Sequence, residues 1–164
     1  MLEKYLMANS ENRMDLYNSS ELNFDEMLFL HNSCDIPQAS KKWPIFWNDF
    51  KRLAPSNYGD NDIIIYRGTS IETYTKYGSG YCWTTDKNLA LKFSQLCCSP
   101  RYTIVFDAID KNPLLLNAKV KHRDIIFQHI NDRNEQEIFI DPLPYYYFHN
   151  FVENKENKLI TNTI

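Results

Sequence analysis

The stretch Ala54-Pro55-Ser56-Asn57-Tyr58-Gly59-Asp60-Asn61-Asp62-Ile63-Ile64-Ile65-Tyr66-Arg67 is where the chain changes character. Pro55, Asn57, Gly59, Asp60 and Asn61 are turn formers, through a fixed φ, tolerance of positive φ or a side chain that bonds its own backbone. Ile63 to Tyr66 follow at once, β-branched and aromatic, and suit a pleated strand better than a helix. Upstream, Trp43, Phe46, Trp47, Phe50 and Leu53 recur at three- and four-residue steps, with Lys41, Lys42, Asn48, Asp49, Lys51 and Arg52 between them. That spacing predicts a helix with one buried and one wet face, capped by Ser40, with Pro44 early enough to sit in its first turn. An earlier helix carries Met27, Leu28 and Leu30 behind a cap at Asn23 or Ser20.

Downstream, short β-branched and aromatic segments predict strands at Asp62 to Arg67, Tyr81 to Thr84, Tyr102 to Ile109, Leu114 to Leu116, Glu135 to Ile140 and Tyr145 to Val152. One helix interrupts them, Asp86 to Leu96, with Asp86 as its cap and Ala90 and Phe93 inward. Ala118 to Ile130 fits either a short helix or a loop, and the Asn-rich end is expected to fray. Helices first and strands after, without βαβ alternation, predict an α+β fold with a mainly antiparallel sheet. For 164 residues this is one domain: a helical part at about 1–57, a sheet core at about 62–152 and a tail over 153–164.

Composition narrows the function. The 15% aromatic content is that of a folded globule, and a net charge of -3 disfavours a general nucleic-acid partner, which needs a basic surface. Met1 to Asn12 has no apolar leader, and the longest apolar runs fall far short of the roughly 20 residues that span a bilayer, so a cytoplasmic protein with no membrane partner is expected. Cys34, Cys82, Cys97 and Cys98 lack zinc-ligand spacing and read as reduced thiols; no metal is expected. His31, His122, His129 and His149 show no nucleophile spacing and read as surface or core residues. Four glycines leave no G-x-G-x-x-G loop and no P-loop, so a bound nucleotide would need another phosphate grip.

Three elements remain, in order: Ile65-Tyr66-Arg67-Gly68, Gly80-Tyr81-Cys82-Trp83-Thr84-Thr85-Asp86, and Glu135-Gln136-Glu137. Singly each is weak. An arginine at a strand end is usually solvated, Thr-Thr-Asp usually starts a helix, and Glu-x-Glu often lies on a wet sheet face. Along a strand, side chains alternate, so Glu135, Glu137 and Phe139 share one face while Gln136, Ile138 and Ile140 share the other. Two carboxylates on one face repel unless a cation comes between them.

In this order the three elements resemble the Arg-Ser-Glu class of mono-ADP-ribosyltransferases, over roughly Asp62 to Pro144. The resemblance implies helices packed on a split, mainly antiparallel β-sandwich around NAD, and transfer of ADP-ribose to a protein acceptor, with arginine implied by Glu135 as the first glutamate. By the same resemblance Arg67 grips the phosphates, Gly68 allows close backbone approach, Glu137 holds the ribose and stabilises its cation, and Glu135 faces the acceptor. Stand-alone enzymes of this kind act as bacterial or phage effectors. The S-T-S element of the class falls on Trp83-Thr84-Thr85 or, shifted by one, on Cys82-Trp83-Thr84; Thr84 is retained either way, with Thr85 second. Phe93, or Tyr102, would stack on nicotinamide, and Trp83 is core or cleft wall. Alternatives are a NAD glycohydrolase, a nucleic-acid acceptor, or a degenerate binding or inhibitor module of the same fold. Tyr145-Tyr146-Tyr147-Phe148 reads as a half-buried strand rather than a base-stacking platform.

Overall fold

The computed structural model describes residues 3–19, 21–35, 37–55, 58–97, 112–131, 134–144, 151–153 and 159–161. Outside them lie the strand expected over Tyr102 to Ile109, most of that expected over Tyr145 to Val152, and Ser20, Cys98 and His149. The chain divides into two compact units, Met1–Pro55 and Ser56–Ile164, at the turn-rich break. Among the described residues no helix is long and apolar enough to cross a membrane.

The first unit holds α1 (Glu3–Leu6), α2 (Phe24–Asn32) and α3 (Trp43–Leu53). Asn23 caps α2 in a reciprocal box: its side chain accepts from the Glu26 amide at 3.0 Å, and Glu26 accepts from the Asn23 amide at 3.0 Å. Along α3, Trp43, Phe46, Trp47 and Phe50 are buried, and Phe24 of α2 meets Phe50 at 4.9 Å between ring centres. Leu53, expected on that face, is exposed at the last position of the helix. Ser40 acts before the helix: its hydroxyl accepts from the Lys42 amide and its carbonyl from that of Trp43.

The second unit contains β1 (Asp62–Ser70), α4 (Ile71–Tyr77), β2 (Cys82–Trp83), α5 (Lys87–Cys97), β3 (Pro113–Lys121), β4 (Ile125–Ile130), β5 (Gln136–Ile140), β6 (Phe151–Glu153) and β7 (Leu159–Thr161). They form two antiparallel sheets, ordered β1-β3-β6-β7 and β2-β5-β4, so the fold is α+β. Ile65, Leu114, Leu116, Ala118, Val120, Trp83, Ile125, Ile138 and Ile140 build one core from both sheets. Among the described residues a bridge between Tyr66 and Thr84 links them, with N···O distances of 2.7 and 2.9 Å.

Several elements differ from the sequence expectation. β1 does not stop at Arg67, because Gly68, Thr69 and Ser70 stay paired with Leu115, Leu114 and Pro113. Ala118 to Ile130 is neither helix nor loop: β3 runs on to Lys121, one 3-10 turn at His122–Asp124 reverses the chain, and β4 follows. α4 was not anticipated. Ser70 caps it, accepting from the Thr73 amide at 2.9 Å, and Gly78 at φ 72° ends it. Where fraying was expected, Leu159–Thr161 pairs with Phe151–Glu153.

Candidate functional site

Alternation along β1 puts Ile63, Ile65 and Arg67 on its inner face and Gly68 on the other. A Cβ at Gly68 would stand 1.8 Å from the Ala90 carbonyl oxygen and 2.5 Å from the Ser94 nitrogen. Glycine is therefore required here for α5 to lie against the strand, a packing reason distinct from ligand approach. α5 starts where Asp86 accepts from the amides of Asn88 and Leu89 at 2.8 and 3.1 Å, and its close seating brings Leu89, Ala90 and Phe93 to the lining of a cleft.

That cleft has a volume of about 260 Å³ and is bounded by Arg67, Thr84, Phe93, Glu135 and Glu137, with Tyr66, Gly68, Cys82, Trp83 and Gln136. The structure thus brings together six of the seven residues singled out from the sequence: Arg67, Gly68, Thr84, Phe93, Glu135 and Glu137. Thr85 is the exception. It is exposed, off the cleft wall, and its hydroxyl donates to the Gln136 side chain.

The face of β2 is now defined. Trp83 pairs with Ile138 and is buried in the core, its indole donating to the Gly80 carbonyl at 3.3 Å. Cys82 and Thr84 take the opposite face, toward the cleft. Thr84 is buried, and its hydroxyl accepts from the Asp86 amide at 3.1 Å, tying the end of β2 to the start of α5.

Arg67 is held from two sides. Its Nη1 donates to the Cys82 carbonyl at 2.5 Å, and a Cβ at Gly80, which has φ 68°, would stand 2.5 to 2.6 Å from the guanidinium. Gly80 was not singled out from the sequence; its φ of 68° favours glycine, and a larger residue there would also have to displace the guanidinium. The Arg67 Nε is buried with no hydrogen-bond partner among the described residues. A buried donor without an acceptor is costly, and an anionic ligand group would relieve it. Burial pushes the Cys82 thiol up to about 12, with the Arg67 charge pulling down, the Glu137 charge pushing up and a hydrogen bond with the Arg67 side chain pulling down.

Glu135 and Glu137 also line the cleft, and an amide side chain bridges the two carboxylates. Asn131 lies at the end of the β4–β5 hairpin, where Asn134 turns at φ 59°. Its Nδ2 donates to both carboxylates, to Glu135 at 3.3 Å and to Glu137 at 3.2 Å, and its Oδ1 accepts from the Glu135 amide at 3.0 Å. His129 Nε2 contacts the other Glu137 oxygen at 2.9 Å, a partner that the sequence did not point to. Phe139, on the same face of β5 as the two glutamates, is fully buried, because Phe127 and the His129 ring cover it at centroid distances of 6.1 and 6.0 Å. Neither His129 nor Asn131 was legible as a partner without knowing that β4 exists. Among the described residues no group of three or more His, Cys, Asp or Glu side chains is arranged to hold a metal ion.

No protein-family model, no curated protein and no solved structure matches the chain.

Proposed function

We propose that this protein is an NAD-dependent mono-ADP-ribosyltransferase of the split β-sandwich type, acting on a protein acceptor at arginine. The observation that carries the proposal is that residues from three separate segments, Arg67, Thr84 and the Glu135/Glu137 pair, line one cleft together with Phe93. A cleft that holds one guanidinium and two carboxylates suits a substrate that is anionic at one end and becomes cationic at the reacting carbon.

In this scheme the Nε of Arg67, which has no partner among the described residues, donates to an NAD phosphate. Glu137 accepts from the ribose hydroxyl. As the glycosidic C–N bond breaks, its electron pair leaves with nicotinamide and positive charge develops on the ribose. A carboxylate about 4 Å away stabilises that charge by about 4 kcal/mol at an effective dielectric of 20, roughly a thousandfold in rate. A guanidinium nitrogen of the acceptor then bonds to the ribose carbon, and its proton passes to Glu135. Phe93, half-buried on the cleft wall, offers an aromatic face to nicotinamide.

Incubating the protein with labelled NAD and a cell lysate tests the reaction class. A labelled protein band, released by an agent that cleaves arginine-linked ADP-ribose, is the expected result. Free ADP-ribose alone would make the protein a glycohydrolase, and labelled nucleic acid would replace the acceptor. No turnover, with no rise in melting temperature under excess NAD, would overturn the enzymatic function.

A further inference from the structure

The register of the β4–β5 hairpin is not uniform. Ile125 pairs with Ile140, but from Phe127 onward the partners are Phe139, Ile138, Glu137 and Gln136, so one extra residue, Ile126, is inserted as a bulge. Without the bulge, the first register would have continued to set Gln128 opposite Glu137. With it, His129 stands there. Directly opposed residues of an antiparallel pair have Cβ atoms about 5 Å apart, which brings imidazole and carboxylate into contact. The His129 ring lies against Phe127 at 5.3 Å and Phe139 at 6.0 Å, and these rings fix its plane. An ionised carboxylate only accepts, so at 2.9 Å it is His129 Nε2 that donates to Oε2, while Asn131 donates to Oε1 at 3.2 Å. Both oxygens of Glu137 are therefore held from β4 and its turn, each with a remaining lone pair.

We propose that His129, with Asn131, is a positioning residue that locks the Glu137 carboxylate in the orientation needed for cleavage of the substrate's glycosidic bond; this rests on the function proposed above. A carboxylate that turns by one rotamer loses its place beside the developing charge, so the lock acts on the transition state more than on substrate binding.

The test compares nicotinamide release by wild type, His129→Phe and His129→Gln. Phenylalanine preserves the ring packed against Phe127 and Phe139 but cannot donate; glutamine restores an N–H at the reach of Nε2. The expected result is a kcat at least about tenfold lower in His129→Phe, with KM for NAD changed less than about twofold, and recovery of most of the loss in His129→Gln. Wild-type kcat in His129→Phe, or glutamine no better than phenylalanine, overturns the positioning role. A second measurement does not depend on turnover: the nitrogen-15 spectrum of the His129 imidazole. Its Nε2–H resonance should shift when Glu137→Gln replaces a charged acceptor by a neutral one, and an unchanged resonance overturns the contact even if the wild type proves inactive on NAD.

Discussion

Arg67 and Cys82 meet at one wall of the cleft, and each makes a prediction. Arg67 spends Nη1 on the Cys82 carbonyl and keeps Nε buried with no hydrogen-bond partner among the described residues, whereas Arg52 is exposed on α3 beside Asp49. In a Glu137→Gln background, which should spare NAD from turnover, Arg67→Ala should weaken NAD binding by at least about tenfold by calorimetry and Arg52→Ala should leave it unchanged. Equal affinities would remove Arg67 from phosphate binding. Cys82 differs in kind. A thiol whose pKa rises on folding holds its proton more tightly in the native state, so its contribution to stability is whole below the ordinary value of 9.0 and is lost as pH climbs toward about 12. Peptide-mapped alkylation at pH 8.5 should find Cys82 at least about tenfold slower in the folded protein than in urea, and matching rates would contradict its burial. The two glutamates divide as well: Glu135→Gln should cut labelling of the acceptor steeply while slow hydrolysis by water persists, and equal loss of both would contradict the division.

At the scale of elements, the seating of α5 on β1 decides whether the cleft exists, since α5 supplies Leu89, Ala90 and Phe93. Gly68→Ala forces a methyl toward the Ala90 carbonyl and the Ser94 amide, both backbone atoms that cannot rotate away. The cost should be about 3 kcal/mol, lowering the melting temperature by about 10 °C or more; a change within about 1 °C would contradict the packing. What was legible in the sequence follows physical lines. Asp86 and Asn23 announce helix starts because a cap is a local bond, and the break at Pro55 to Asn61 is written in turn chemistry. Leu114, Leu116, Ala118 and Val120 alternate inward along β3, a period of two that extends past the run of leucines. Lys119 and Lys121 interrupt that apolar signal because both reach across to Asp62, at 2.7 and 2.6 Å. α4 was hidden because Ile71, Thr73 and Thr75 favour strands, and only its cap and Gly78 mark it. His129 was hidden because its partner depends on a bulge, which has no signature in spacing.

Across the whole molecule, the two units have different kinds of core. The first is a stack of aromatic rings along α3, the second a β-branched and leucine core shared by two sheets. The residues of the cleft all belong to the second unit, between Tyr66 and Glu137. Their distance along the chain explains why no single motif sufficed: Arg67, Thr84 and Glu137 meet only once β1, β2 and β5 are assembled. The most direct test of the central claim is nicotinamide release from NAD by purified wild type and Glu137→Gln, with melting curves to show that both are folded. The account predicts measurable release by the wild type and a loss of roughly 100- to 1,000-fold in the variant, since the shape is kept and only the charge facing the ribose is removed. Release undiminished in Glu137→Gln, or none from the wild type, would contradict it.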